Sequence, residues 1–197
     1  MIDFYTNPRS RGAIARWMLE ETGQPYVTHV LDYGTTMKSP DYLAINPMGK
    51  VPAIVHAGQV VTEVAAICAY LAEAFPQARL APTPSERAAY YRWLFFAAGP
   101  IEAAVVNNTL GFIIPPERKG MVGYGSYDDA IAVLEQRLLA SPYIAGDRFT
   151  AADVYVGSQV GWGMMFKTMP ERPSFVAYWD RLKDRPARLA GIAKDQG

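Results

Sequence analysis

The chain has 197 residues, half of them apolar, and its 19 acidic and 19 basic residues give zero net charge. That suffices for one large or two small packed domains and leaves no electrostatic footprint for nucleic acid or an anionic membrane. One cysteine and two histidines exclude a disulfide framework and a structural zinc site, and no metal or resident cofactor is expected.

In chain order, Ile2 to Tyr5 alternates like a short strand, and Ile14, Trp17 and Met18 recur at helical spacing within Gly12 to Glu21. Gly23 stops that helix, Tyr26 to Leu31 is rich in β-branched and aromatic residues, and Tyr33 to Leu43 reads as a loop with at most a short helix. Val51 to His56 and Gln59 to Val61 flank Ala57-Gly58, a tight hairpin turn. Val64, Ile67, Cys68, Leu71 and Phe75 then draw one helical stripe, on which Cys68 reads as a small core hydrophobe. The order βαβ, irregular segment, ββα is that of a thioredoxin-like α/β domain, assigned to residues 1–76.

Composition shifts at Phe75-Pro76, and residues 77–83 read as a linker. Thr83-Pro84-Ser85-Glu86 has the cap, proline and glutamate that open a long helix, which Gly99-Pro100 should kink. Ser126 and Thr150 open further helices, so residues 84–197 are expected to form an all-helical domain. The glycines at 120, 123 and 125 follow no strand and precede no Gly-Lys-Ser/Thr, so they mark a loop. No signal peptide precedes Ile2, and the most apolar stretch, Trp93 to Val106, is broken by Gly99-Pro100 and Glu102, so a cytoplasmic protein without membrane spans is expected.

Chemistry concentrates between Asn46 and Ile67. Val51-Pro52 begins an apolar run, where a proline removes one ladder donor and, if cis, turns the preceding N–H and C=O outward to pair with another backbone. Glu63 falls in the first turn of a helix, where free amides attract an anion and the side chain can bind a cation. Together they suit a small zwitterion with an amide backbone.

Three motifs carry a resemblance to a known family. Asn46-Pro47-Met48-Gly49-Lys50-Val51-Pro52-Ala53 resembles the cis-proline segment of the soluble, bacterial-type glutathione S-transferases. Thr62-Glu63 with Ala65-Ala66-Ile67 and Tyr70-Leu71 resembles their γ-glutamyl-binding helix, and Gly146 to Asp153 their folding-cap motif. The resemblance spans nearly the whole chain and implies a thioredoxin-like domain followed by an all-α domain. It implies that Val51 pairs with the cysteinyl backbone of glutathione, that Pro52 is the cis residue and that Glu63 meets the γ-glutamyl ammonium. Val64 stands where many relatives carry serine, leaving its N–H alone for the γ-glutamyl carboxylate. Lys38 and Lys50 flank the expected place of the glycine carboxylate.

Thiolate attack requires lowering a thiol pKa from about 8.5 by roughly two units, worth about 2.7 kcal/mol, more than the ~1 kcal/mol of one neutral hydrogen bond. Asn7-Pro8-Arg9-Ser10-Arg11-Gly12 combines a hydroxyl, a helix N-terminus and a cation. By resemblance to the serine classes, Ser10 is the first candidate for the thiolate donor, with Arg11 as the nearby cation. Tyr5 is the rival by resemblance to the tyrosine classes. The beta class has a cysteine at about the place of Arg11; this loop has none, which argues against a mixed-disulfide mechanism.

The resemblance further implies an electrophile pocket between the domains, with Phe96, Pro100, Trp162 and Phe166 as candidates. Gly161 and Gly163 are expected to leave room beside the Trp162 ring. The implied function is conjugation of glutathione, as cosubstrate, to small hydrophobic electrophiles, in the service of detoxification. Glutathione-dependent reduction of peroxides or disulfides uses the same thiolate, and a non-catalytic binding or interaction module of the same fold is the third possibility. A homodimer is implied by the family, not by any signal in the sequence.

Overall fold

A computed structural model of the chain describes residues 1–196. Strand β1 (Ile2–Thr6) buries Ile2, Phe4 and Thr6 on one face and turns Asp3 and Tyr5 to the other. Helix α1 (Gly12–Thr22) ends where Gly23 takes φ 66°, a left-handed cap that a side chain would strain. Strand β2 (Tyr26–Val30) returns parallel to β1, from Ile2↔Tyr26 to Thr6↔Val30.

The segment expected to be mostly loop contains a turn of 3₁₀ helix, Thr36–Lys38, and a short helix α2 (Pro40–Ile45). Ser39 and Pro40 supply its cap and its preset first φ. Strands β3 (Ala53–His56) and β4 (Gln59–Thr62) form the hairpin, and Ala57 and Gly58 both take positive φ at its turn. Helix α3 (Val64–Ala74) follows at once. The sheet order is β2-β1-β3-β4, with β3 antiparallel to both β1 and β4. Helices α1 and α3 pack together on the face of Phe4. Their apolar stripes bury Ile14, Met18, Ile67, Cys68 and Leu71, each large aliphatic worth about 1.5–3 kcal/mol of burial. The opposite face holds Met37, Tyr42 and Ala53, with Tyr5, Leu31, Ile45 and Val51 packed against them.

Contacts divide the chain into two units, one of Met1–Ala81 with the segment from Asp184 on, the other of Pro82–Lys183. The division falls inside the expected linker, although Leu80 within that linker is buried. The C-terminus differs from expectation. Helix α9 (Pro186–Gln196) belongs to the first unit and not to the helical domain, because it is laid along α1. Arg16 Nε donates to Asp195 at 2.6 Å, Lys194 to Glu20 at 2.7 Å, and Arg185 grips both oxygens of Glu21 at 2.6 and 2.8 Å.

The second unit is helical. Glu86 reaches back to the Thr83 N–H at 2.8 Å, and after that turn α4 (Arg87–Phe96) runs into a wide turn at Ala97–Ile101 around Pro100. This is the kink expected at Gly99-Pro100: proline lacks the N–H of an α-helical ladder. The path continues through α5 (Glu102–Thr109), a 3₁₀ segment at Pro116–Met121, α6 (Tyr127–Ala140), α7 (Ala151–Met165) and α8 (Pro173–Asp180). The core of this unit is α7, whose Asp153 accepts from the N–H groups of Ile144 and Thr150 and the hydroxyls of Thr150 and Tyr178. Among the described residues no helix is long and apolar enough to cross a membrane.

Candidate functional site

Strand register gathers the candidate residues at one end of the sheet. Tyr5 pairs with Ala53 and Ala53 with Thr62. The stretch after Thr6, the stretch before Ala53 and the start of α3 after Thr62 are therefore neighbours. They contain Ser10 to Gly12, Val51-Pro52 and Glu63, which are far apart in sequence.

The first stretch is a locked turn. Asn7 Nδ2 donates to the Leu31 carbonyl at 2.8 Å, and Asn7 Oδ1 accepts the Arg9 N–H at 3.0 Å. The Asn7 carbonyl accepts both the N–H and the hydroxyl of Ser10, at 3.1 and 2.6 Å. Ser10 Oγ in turn accepts the N–H of Gly12, the first residue of α1, at 2.9 Å. Arg11, exposed, is the residue immediately before that helix.

Tyr5 lies on the other face of β1. Its ring stacks on His29 with centroids 4.6 Å apart and tilts against Tyr42 at 5.6 Å. His29 Nε2 is 2.8 Å from Asp3 Oδ1. Burial, reinforced by the Asp3 carboxylate, pushes the Tyr5 phenol upward, so it keeps its proton at neutral pH and remains a donor.

The second stretch is held by side chains outside it. Tyr42 Oη and Asn46 Nδ2 both donate to the Lys50 carbonyl, at 2.5 and 2.7 Å, and Asn46 Oδ1 accepts the Met48 N–H at 3.1 Å. Val51 is half-buried, precedes the first paired residue of β3, and its bond to Pro52 is cis. Lys38 Nζ donates to the carbonyls of Met48 and Gly49 at 3.0 and 2.9 Å, tying the 3₁₀ turn to this loop. The Lys50 side chain is exposed.

Glu63 stands one residue before α3 rather than inside its first turn, with φ 61° and ψ 115°. Its side chain is exposed, and the helix ladder begins only where the Ile67 N–H meets the Glu63 carbonyl at 2.8 Å. The Glu63 side chain does not cap that end of α3, which leaves amides of the first turn, beginning at the buried Val64, for an anion. Cys68, fully buried on the same helix, has its thiol pushed well up by burial and is no nucleophile.

The four residues expected at an electrophile pocket all lie in the second unit. Phe96 is half-buried with its ring edge-on to Trp93 at 5.4 Å, Pro100 is in the wide turn, Trp162 is half-buried on α7, and Phe166, 65% exposed, caps its end. The space at the two glycines that flank Trp162 is taken. A Cβ on Gly161 would lie 2.6 Å from the Trp179 ring and one on Gly163 2.3 Å from the Met169 sulfur. These glycines admit neighbouring side chains to α7, not a ligand. Asn7, Tyr42 and Asn46 were not singled out in sequence. Asn46-Pro47 carried a turn signal, but Asn7 and Tyr42 act on backbone that only the fold brings near. Among the described residues no group of three or more His, Cys, Asp or Glu could hold a metal ion.

Comparison with known proteins bears on this arrangement. The family described as "Glutathione S-transferase, N-terminal domain" matches residues 12–74, and "Glutathione S-transferase, C-terminal domain" matches residues 59–163. The chain is 28% identical over 178 residues to "Glutathione S-transferase F9" of Arabidopsis thaliana, covering 80% of each. It is 29% identical to "Disulfide-bond oxidoreductase YfcG" of Escherichia coli K12, covering 100% of this chain and 96% of that protein. Among solved structures, a glutathione transferase from Methylococcus capsulatus superposes with a TM-score of 0.80 at 29% identity, over 100% and 99% of the two chains. A glutathione transferase homolog from Sulfitobacter with bound glutathione gives a TM-score of 0.77 at 25% identity, over 100% and 98%.

Proposed function

Because the chain belongs to the glutathione S-transferase family, we propose that it binds glutathione where β1, β3 and β4 end together and transfers its thiolate to small hydrophobic electrophiles. The observation that carries this reading is the register Tyr5↔Ala53 and Ala53↔Thr62, which brings the segments that carry Val51, Glu63 and Ser10 to one end of the sheet. A γ-glutamyl tripeptide offers an amide backbone to the first, an ammonium to the second and a thiol to the third. The Val64 N–H takes the γ-glutamyl carboxylate. Lys50 takes the glycine carboxylate in preference to Lys38, whose ammonium already holds two carbonyls.

Ser10 can turn its hydrogen to a sulfur at small cost. The Asn7 carbonyl keeps the Ser10 N–H when the hydroxyl leaves, and the Gly12 N–H stays on Ser10 Oγ. That hydroxyl, the start of α1 and the Arg11 charge together supply the thiolate stabilisation that one neutral hydrogen bond, worth about 1 kcal/mol, does not. The thiolate then forms a C–S bond, the leaving group departs with its electron pair, and the thiol proton goes to solvent. The electrophile's apolar contacts are assigned to Phe96, Pro100, Trp162 and Phe166 of the second unit by family resemblance alone.

Retention on immobilised glutathione and turnover of 1-chloro-2,4-dinitrobenzene test the reading; failure in both overturns it in favour of a binding module. Ser10→Ala should raise the pKa of the bound thiol by about one unit and cut the rate at neutral pH about tenfold. An unmoved pH–rate profile transfers the role to Tyr5, tested by Tyr5→Phe. A second reading is supported by the relative named a disulfide-bond oxidoreductase, which matches across this whole chain. In it two glutathione thiols reduce one disulfide and leave as glutathione disulfide, and turnover of hydroxyethyl disulfide exceeding that of the aryl halide would favour it. We further propose a cytoplasmic homodimer acting in detoxification; a solution mass of one chain, 21.7 kDa, would refute the dimer.

A further inference from the structure

Thr6 carries a hydroxyl that the fold does not use. The residue closes β1 at 0% exposure, and its Oγ1 has no hydrogen-bond partner among the described residues. Valine has the same shape and would avoid burying an unpaired polar group. This hydroxyl and that of the proposed donor both lie close to Gly12. A Cβ on Gly12 would stand 1.9 Å from Thr6 Oγ1 and 2.9 Å from Ser10 Oγ, so both oxygens crowd one point beneath the start of α1, and only glycine there admits them. Ser10 Oγ accepts one hydrogen bond, from the Gly12 N–H. A hydroxyl oxygen has two lone pairs, which leaves one acceptor position open.

We propose that Thr6 is a positioning residue for Ser10. When the Ser10 hydrogen turns from the Asn7 carbonyl to the glutathione sulfur, the Thr6 hydroxyl, turned about its own C–O bond and with a small shift that closes the gap, donates to the second lone pair of Ser10 Oγ. Ser10 then receives two donors, Gly12 N–H and Thr6 O–H, while presenting its own hydrogen to the thiolate. Donors in series polarise one another, so the bond to sulfur is strengthened. No proton changes owner: each hydroxyl keeps its hydrogen, and the thiol proton leaves to solvent as before. The inference rests on the assignment of Ser10 as donor, and it explains why a buried hydroxyl sits where an apolar group would pack as well.

The test compares Thr6→Val, Thr6→Ser and Ser10→Ala with the parent chain. It reads the pH dependence of kcat/KM with chlorodinitrobenzene and the ultraviolet absorbance of the thiolate in the glutathione complex. Thr6→Val should raise the bound thiol's pKa by about half a unit, leaving about threefold less thiolate well below that pKa. It should melt no lower than the parent, a combination that a merely structural role would not produce. Thr6→Ser should restore the profile. If Thr6→Val does not fold, Thr6→Ala removes the same hydroxyl with less bulk and carries the same expectation for the pH profile. A profile moved by Ser10→Ala and not by loss of the Thr6 hydroxyl overturns this inference alone. A profile that Ser10→Ala leaves in place overturns the Ser10 assignment, and this inference with it.

Discussion

Glu63 holds φ 61° and ψ 115°, where an L side chain costs about 1–3 kcal/mol. The strain stands at the point where β4 becomes α3, and it carries an exposed carboxylate to the uncapped helix end. Glu63→Gly should therefore separate stability from binding. Relief of the strain is expected to raise stability by about 1 kcal/mol, a few degrees in Tm, while loss of the carboxylate weakens glutathione binding at least about tenfold. Thermal melts and titration calorimetry on the same preparations check both; a variant that melts lower and binds unchanged would reverse the argument. At this scale the cis bond at Val51-Pro52 was legible because its signal is local, a proline at a strand start, and Glu63 was placed within one residue of its position because a carboxylate stands at the head of a helical stripe. Asn7 was not, because its anchor, the Leu31 carbonyl, is 24 residues away. Nor was the burial of Tyr5 against His29 and Tyr42, which depends on two other elements meeting one face of β1.

The helix caps make the same point for elements. Ser126 accepts the Asp129 N–H at 3.1 Å, and Asp153 accepts from Thr150 at 2.9 and 3.0 Å. These caps close over three residues, so the letters display them. What the letters do not display is that Asp153 is also the centre of the second unit's core, bonded to Ile144 and Tyr178 and fully buried. Burial raises its pKa from 3.8 to about 6 even against four donors. Between those values the folded chain holds a proton that the unfolded chain has released. This group's contribution is therefore fully present below pH 3.8, falls as pH rises through the window, and is about 3 kcal/mol smaller above about 6. Asp153→Asn cannot titrate and should lack this component of the pH dependence. Urea unfolding of both chains from about pH 3.5 to 7 measures it, and coincident slopes would show that Asp153 does not titrate in that window. Gly161 and Gly163 were misread for the complementary reason: Trp179 and Met169 come from later segments, and no spacing within α7 announces them.

At the scale of the molecule the C-terminal helix decides the organisation of the first unit. Arg16 is buried beneath α9 with its guanidinium over the Phe4 ring at 5.1 Å, and it bonds Tyr26 and Thr28 as well as Asp195. Asp195→Ala leaves that charge short of its counter-ion and is expected to cost about 3 kcal/mol, whereas Arg16→Met with Asp195→Leu should cost much less. A double-mutant cycle on unfolding free energies tests this; additive losses would mean that the pair is not coupled. Because α9 lies along α1, the helix that begins at the Ser10 turn, Asp195→Ala should also weaken retention on glutathione although Asp195 is remote in sequence from every residue assigned to bind it. By itself the sequence determined the order of elements in the first domain, the two kinds of domain, the caps and the three motifs that identify the family, because each rests on interactions within a few residues or on a periodic stripe. Only the tertiary structure decided that α9 joins the first unit, that the space at Gly161 and Gly163 is filled, and that Thr6, Ser10 and Gly12 crowd together. Those outcomes depend on which surfaces meet when distant segments pack, and an exchange of partners across 179 residues, as between Arg16 and Asp195, leaves no period or motif to read.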